Sequence, residues 1–343
     1  MAKDSAPHPR LRADSLLPLS RAARTSSSEP PQSFPGMPVK IISLDRSFAV
    51  RFSPNGKLCA VIYDGIHLFD ARTGRTVTRL PDFFHATSIA FSPDGRSLVA
   101  KNPDGEAVVG TTTPSGEMEW STFASEEGPG PEFSFDGHAL VDPSTRKGLI
   151  VRNLLTGEID FAHHVPNVRT SDLLCSAARN RWITAHCDAK KGKAMEPTRF
   201  LQWEWPFDPT TCIELPYRVK DCTGAALSPD GELLATVFAP DEDEHDTLQI
   251  YSISRRMILH AQPGGNGPGP QLRWSPCSRY LGWVTAEGFS VLDFKRRTIV
   301  AEYEMSWPSS IDFSPDLSRI ALGSTDGGRI EPFAPFGRPV SRR

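Results

Sequence analysis

With 343 residues, 38% of them hydrophobic, the chain has material for a sizeable core, while 31 prolines and 26 glycines cut it into short segments and exclude a fold of long helices. A formal net charge of -3 gives no general attraction to nucleic acid or to an anionic membrane. No apolar run reaches the length of a membrane span, and Met1-Ala2-Lys3-Asp4 leads into polar, proline-rich sequence rather than a secretory hydrophobic stretch, so a cytoplasmic location is expected. The six cysteines (Cys59, Cys175, Cys187, Cys212, Cys222, Cys277) are scattered and form no Cys-x-x-Cys pair, which reads as reduced, structural thiols.

Residues 1-37 contain Arg24-Thr25-Ser26-Ser27-Ser28 and Pro30-Pro31 with few apolar side chains, and read as a disordered tail. From residue 38 a repeat takes over. Its copies are Phe52-Ser53-Pro54-Asn55-Gly56, Phe91-Ser92-Pro93-Asp94-Gly95, Phe133-Ser134-Phe135-Asp136-Gly137, Cys175-Ser176-Ala177-Ala178-Arg179, Leu227-Ser228-Pro229-Asp230-Gly231, Trp274-Ser275-Pro276-Cys277-Ser278 and Phe313-Ser314-Pro315-Asp316-Leu317. Proline presets φ for the first central position of a type I turn, and glycine accepts the left-handed conformation that leads into the next strand, so each copy is a hairpin. Ser278 and Leu317 stand where that glycine is expected, which predicts altered turns in the last two copies.

The copies lie 39, 42, 42, 52, 47 and 39 residues apart, the length of one four-stranded propeller blade. In the first copy, Leu58–Tyr63, the Asp64-Gly65 turn, Ile66–Phe69, Asp70–Gly74 and Arg75–Leu80 supply the second, third and outer strands. The last copy has only three strands, while Val39–Leu44 is a strand without a blade. The sequence therefore predicts an all-β fold: a seven-bladed β-propeller of four-stranded antiparallel blades over 38-334, its ring closed by an N-terminal strand, with 335-343 as a C-terminal tail. A monomer is expected.

The Ser-Pro-Asp-Gly turns, the Asp-Gly hairpins (Asp64-Gly65, Asp104-Gly105, Asp326-Gly327) and the ending Leu68-Phe69-Asp70-x-x-Thr73-Gly74 resemble the WD-repeat β-propeller superfamily. The resemblance covers about 38-334 and implies the propeller and, in regular members, a buried Asp-His-Ser-Trp network. Here Phe69-Asp70, Arg152-Asn153 and Leu292-Asp293 replace the Trp-Asp dipeptide, and no Gly-His precedes the first strands.

In such blades the loop between the second and third strands shares a face with the loop entering the next blade. Blade four carries a basic insertion there (Lys190, Lys191, Lys193), and blade five an acidic one (Asp241, Glu242, Asp243, Glu244, Asp246), so both become candidate partner-binding residues. The acidic loop lacks the spacing of a calcium loop, and no His or Cys pair has zinc-site spacing. The turn serines lack a nucleophile elbow, and the glycines of 264-270 precede no helix that would receive a phosphate. No catalytic residue, metal or cofactor is therefore assigned, and the expected function is a non-catalytic scaffold for a protein partner. The alternative is a hydrolase- or lactonase-like propeller enzyme, or a small-ligand binder, using the central channel. Among the inner-strand starts only Glu132 and Asp172 are charged, thin support for a channel metal centre.

Overall fold

The computed structural model describes residues 41–113, 117–145, 148–164, 168–188, 197–239, 246–265 and 271–335. The chain divides at Pro38 into two units, and these residues lie in the second. Among them are seven antiparallel sheets of four strands each, arranged as the seven-bladed propeller that the repeat predicts, with only two short 3-10 turns as helix. No helix is long and apolar enough to cross a membrane.

The recurring turn serine explains the motif. In blade 2, Ser92 is buried. Its hydroxyl donates to Asp94 Oδ1 at 2.6 Å and accepts from the Ser97 N–H at 2.9 Å, while its carbonyl takes the Gly95 N–H at 2.8 Å. The bond from Ser92, followed by one from the Arg96 N–H, holds the Asp94 carboxyl below its usual range. One hydroxyl thus fixes the register of the first two strands, and the same set recurs at Ser53, Ser134, Ser228 and Ser314. Gly56, Gly95, Gly137 and Gly231 all take φ near 70°. The expected alteration at Ser278 and Leu317 is corrected: they adopt φ of 56° and 58°, and their N–H groups bond Ser275 O and Ser314 O at 2.9 Å as the glycines do. The turn's hydrogen bonds outweigh the cost of a left-handed side-chain residue. Blade 4 differs, with a 3-10 turn over Ala177–Arg179 and Asn180 at φ 48°.

The ring closes as the strand deficit predicts. Ile42 pairs with Ile330 and Ser43 with Arg329, completing the last blade. Ile42, Leu44 and Ile330 are buried with Val50, Phe52, Cys59, Val61 and Phe69 of the first blade. The seam is also stitched through side chains. Ser310 Oγ accepts the Val50 N–H at 3.1 Å, and Asp312 Oδ2 accepts the Phe52 N–H at 2.8 Å.

Apolar clusters fill the spaces between blades, with Trp203 of blade 4 packed against Ala139, Val141 and Val151 of blade 3. Between blades 2 and 3 the fill includes an ion pair. Lys101 Nζ donates to Asp142 Oδ1 at 2.7 Å and to Pro143 O at 3.1 Å, Ser125 donates to the other carboxylate oxygen, and both charged side chains are at most 2% exposed. Such a pair is costly to break and cheap to replace whole. Lys101→Met should therefore destabilise by about 3–5 kcal/mol in denaturant unfolding, and adding Asp142→Leu should recover most of that loss; equal losses from the single and double variants would refute it.

Candidate ligand site in the central channel

Seven inner strands wall the channel: Ala49–Phe52, Ser88–Phe91, Glu132–Phe133, Val168–Ser176, Cys222–Leu227, Leu272–Trp274 and Pro308–Phe313. Two positions before each turn serine these strands carry Arg51, Ala90, Glu132, Leu174, Ala226, Arg273 and Asp312, so four ionisable side chains occupy one level of the ring. Alanines in blades 2 and 5 add no bulk there.

Asp312 is almost fully buried and uses both oxygens. Oδ2 holds the Phe52 N–H, and Oδ1 accepts from Arg273 Nε at 2.8 Å. The Arg273 side chain is 40% exposed, so its pairing counts as a partly solvated contact rather than a dry core pair. Burial works against its charge, but Asp312 and then Glu132 outweigh it and hold the guanidinium above its usual value. Arg51 feels the opposite balance. Burial and then the nearby Arg273 pull its pKa down to about 10, against the attraction of Asp312 and Glu132, and it remains a cation at neutral pH. The Glu132 carboxyl is pushed above the ordinary carboxylate range by burial, an effect that Arg273 and Arg51 moderate.

Nearer the strand start of blade 4, burial alone raises Asp172 to about 7. Beside it Cys222 is pushed up to about 12, by burial first and then by the Asp172 charge. Burial likewise raises Cys59 and Cys175 far above the ordinary thiol value. These sulfurs are held as thiols and are poor nucleophiles. The turn serines are committed to backbone bonds, the register bonds described above in five blades, the Tyr280 N–H at Ser275 and Pro229 O at Ser176. The channel therefore offers charge neutralisation, hydrogen bonding and proton exchange, without an activated nucleophile. Among the described residues no group of three His, Cys, Asp or Glu could hold a metal ion.

Of the partner-binding candidates from sequence, Lys190, Lys191, Lys193, Asp241, Glu242, Asp243 and Glu244 lie outside the described residues. Asp246 directly precedes the third strand of blade 5, and its carbonyl accepts the Gly264 N–H at 2.6 Å. His186 is buried in blade 4 with Nε2 2.8 Å from Thr184 Oγ1, which also accepts from Trp203 Nε1 at 2.9 Å. Burial, then Arg199 and His163, push this imidazole down to about 4, leaving it neutral. It joins the strands of its own sheet through Thr170 and Thr184.

Sequence reasoning found Glu132 and Asp172 but missed Arg51, Arg273 and Asp312. A signal exists in the sequence: these residues sit two places before the motif serine, near the end of the inner strand, whereas Glu132 and Asp172 stand at the strand starts that the sequence predicts.

No protein-family model matches the chain, and no curated protein is similar to it in sequence. Among solved structures, a chain of Kuenenia stuttgartiensis hydrazine synthase is similar, with a TM-score of 0.69 and 15% identity, covering 88% of this chain and 99% of that one. At that identity the likeness shows the propeller fold. The expectation of a non-catalytic scaffold for a protein partner gains no support from this likeness, because the similar propeller belongs to an enzyme; that expectation also left out the ionisable level of Arg51, Arg273 and Asp312, which lies near the ends of the inner strands and not at their starts.

Asp172 supplies a test of the channel electrostatics. The folded state keeps its proton to a higher pH than the unfolded chain does, so the carboxyl weakens the fold progressively as pH rises from the ordinary carboxylate range to about 7. Asp172→Asn should raise the melting temperature at pH 8 and leave it unchanged at pH 4; a stabilisation independent of pH would show that burial does not control this group.

Proposed function

We propose that this protein works through its central channel, binding a small polar molecule at the level of Arg51, Glu132, Arg273 and Asp312. The observation that carries the reading is the convergence of those four side chains from blades 1, 3, 6 and 7 at one register position of the inner strands. Packing alone does not require charge there, since blades 2, 4 and 5 use Ala90, Leu174 and Ala226. Ionisable groups with shifted titration in a concave site are the usual mark of a functional centre. Chemistry on a bound molecule would rest on charge neutralisation and proton transfer, because the thiols and hydroxyls nearby are not activated.

The scaffold itself we read as a divergent relative of WD-repeat propellers. The reading is supported by the bonded Trp203, Thr184 and His186 of blade 4, which unite the Trp, hydroxyl and His types of the WD network although His186 comes from the second strand.

Arginine-selective dicarbonyl labelling tests the channel reading on the full chain. A panel of small charged and polar metabolites is ranked by the rise in melting temperature, and each binder is then tested for protection of Arg51 and Arg273 by peptide mass spectrometry. The expected result is at least one binder that protects the channel arginines. A complete panel in which binders protect neither, or in which nothing binds, would overturn the reading.

A further inference from the structure

We infer that the channel's ligand is a small zwitterion, an amino carboxylate whose carboxylate pairs with Arg51 and whose ammonium group pairs with Glu132. The inference rests on the channel reading above and names the ligand class.

It follows from what each charged group already bonds. Asp312 is satisfied by the Phe52 N–H and by Arg273, and Arg273 is matched in charge by the same contact. Arg51 and Glu132 are left. Of the five N–H donors of Arg51, one makes a long bond of 3.4 Å to Val50 O, and among the described residues no carboxylate forms an ion pair with its guanidinium. Among the described residues the Glu132 carboxylate accepts no hydrogen bond and forms no ion pair, although it lies within electrostatic reach of both arginines. The two groups belong to blades 1 and 3, with blade 2 and its short Ala90 between them. Opposite charges thus stand at one level of the ring without an ion pair between them.

Two unpaired opposite charges in a walled channel are complementary to a molecule that carries both. A dianion would satisfy Arg51 and be repelled by Glu132, and a dication would reverse that pattern. A neutral polyol would leave both charges uncompensated. The separation of the two side chains sets the preferred distance between the ligand's own charges, so the site should discriminate by length as well as by sign.

The test is calorimetry on the full chain with glycine, β-alanine, 4-aminobutanoate and 6-aminohexanoate as zwitterions of increasing length, against succinate and putrescine. One zwitterion should bind best, about ten-fold or more tighter than either succinate or putrescine, and Arg51→Met or Glu132→Gln should each remove that preference. The charge-conserving Arg51→Lys and Glu132→Asp variants guard against misfolding. Both keep the charges and shorten the reach, so they should move the optimum to a longer zwitterion. If succinate or putrescine binds as tightly and protects Arg51, the zwitterion inference fails while the channel reading stands. If no zwitterion binds but another polar molecule protects the channel arginines, the inference fails in the same way. If nothing protects them, both fail.

Discussion

Asp312 does two jobs with two oxygens. One accepts the Phe52 N–H across the seam where the last blade meets the first, and the other holds Arg273 at the channel wall. Closing the ring and charging the channel are therefore one constraint. An apolar residue at this place would leave a buried N–H unsatisfied and an arginine without its counter-charge, and either fault is expensive in an enclosed site. Further seam bonds, among them the Val50 N–H to Ser310 Oγ, Ser309 Oγ to Ser47 O and the Ser47–Ser324 pair, spread the same function along the strand, and Asp312 adds to it the link to Arg273.

Two sets of buried or walled charge illustrate how context separates structure from function. Lys101 and Asp142 are matched in charge: the ammonium bonds Asp142 and Pro143 O, both carboxylate oxygens are taken, and the pair acts as a polar plug between blades 2 and 3. In the channel the matching is incomplete. The titration of Arg51 is pulled down and that of Glu132 pushed up, which are the marks of charges that the surrounding protein does not fully compensate.

Most of the fold was legible in the sequence because its governing interactions are local. A turn serine, its acceptor two residues later and a left-handed residue at the turn's end recur within each hairpin, so spacing and turn chemistry together gave blade count, strand order and closure. The chemistry failed as a guide only where backbone bonding tolerated another residue, as at Ser278 and Leu317. The candidate site was much less legible. Its members come from strands up to 261 residues apart in the chain, from Arg51 to Asp312, and share no motif beyond their distance from the serine. Their meeting is a product of radial geometry, which local pattern does not encode. Cys175 and Cys222 illustrate the same limit, since burial sets their character and burial at a channel wall is decided by six other blades.

The clasp at Ile42–Ser43 has a consequence for the order of events in synthesis. The segment that completes the seventh blade is made before the first blade, and its partner strand, Arg329–Pro332, only after the other six. While the ribosome adds the intervening blades, Ile42 and Ser43 have no strand to pair with, and when the last hairpin emerges its outer edge is open until the early strand returns. Closure therefore waits for the last blade, and its kinetics are those of a loop spanning nearly the whole ring. During that interval an open edge on one nascent chain and an unpaired clasp on another are complementary, so crowded synthesis on one messenger favours exchange of clasps between neighbouring copies, a hazard that arises from topology alone.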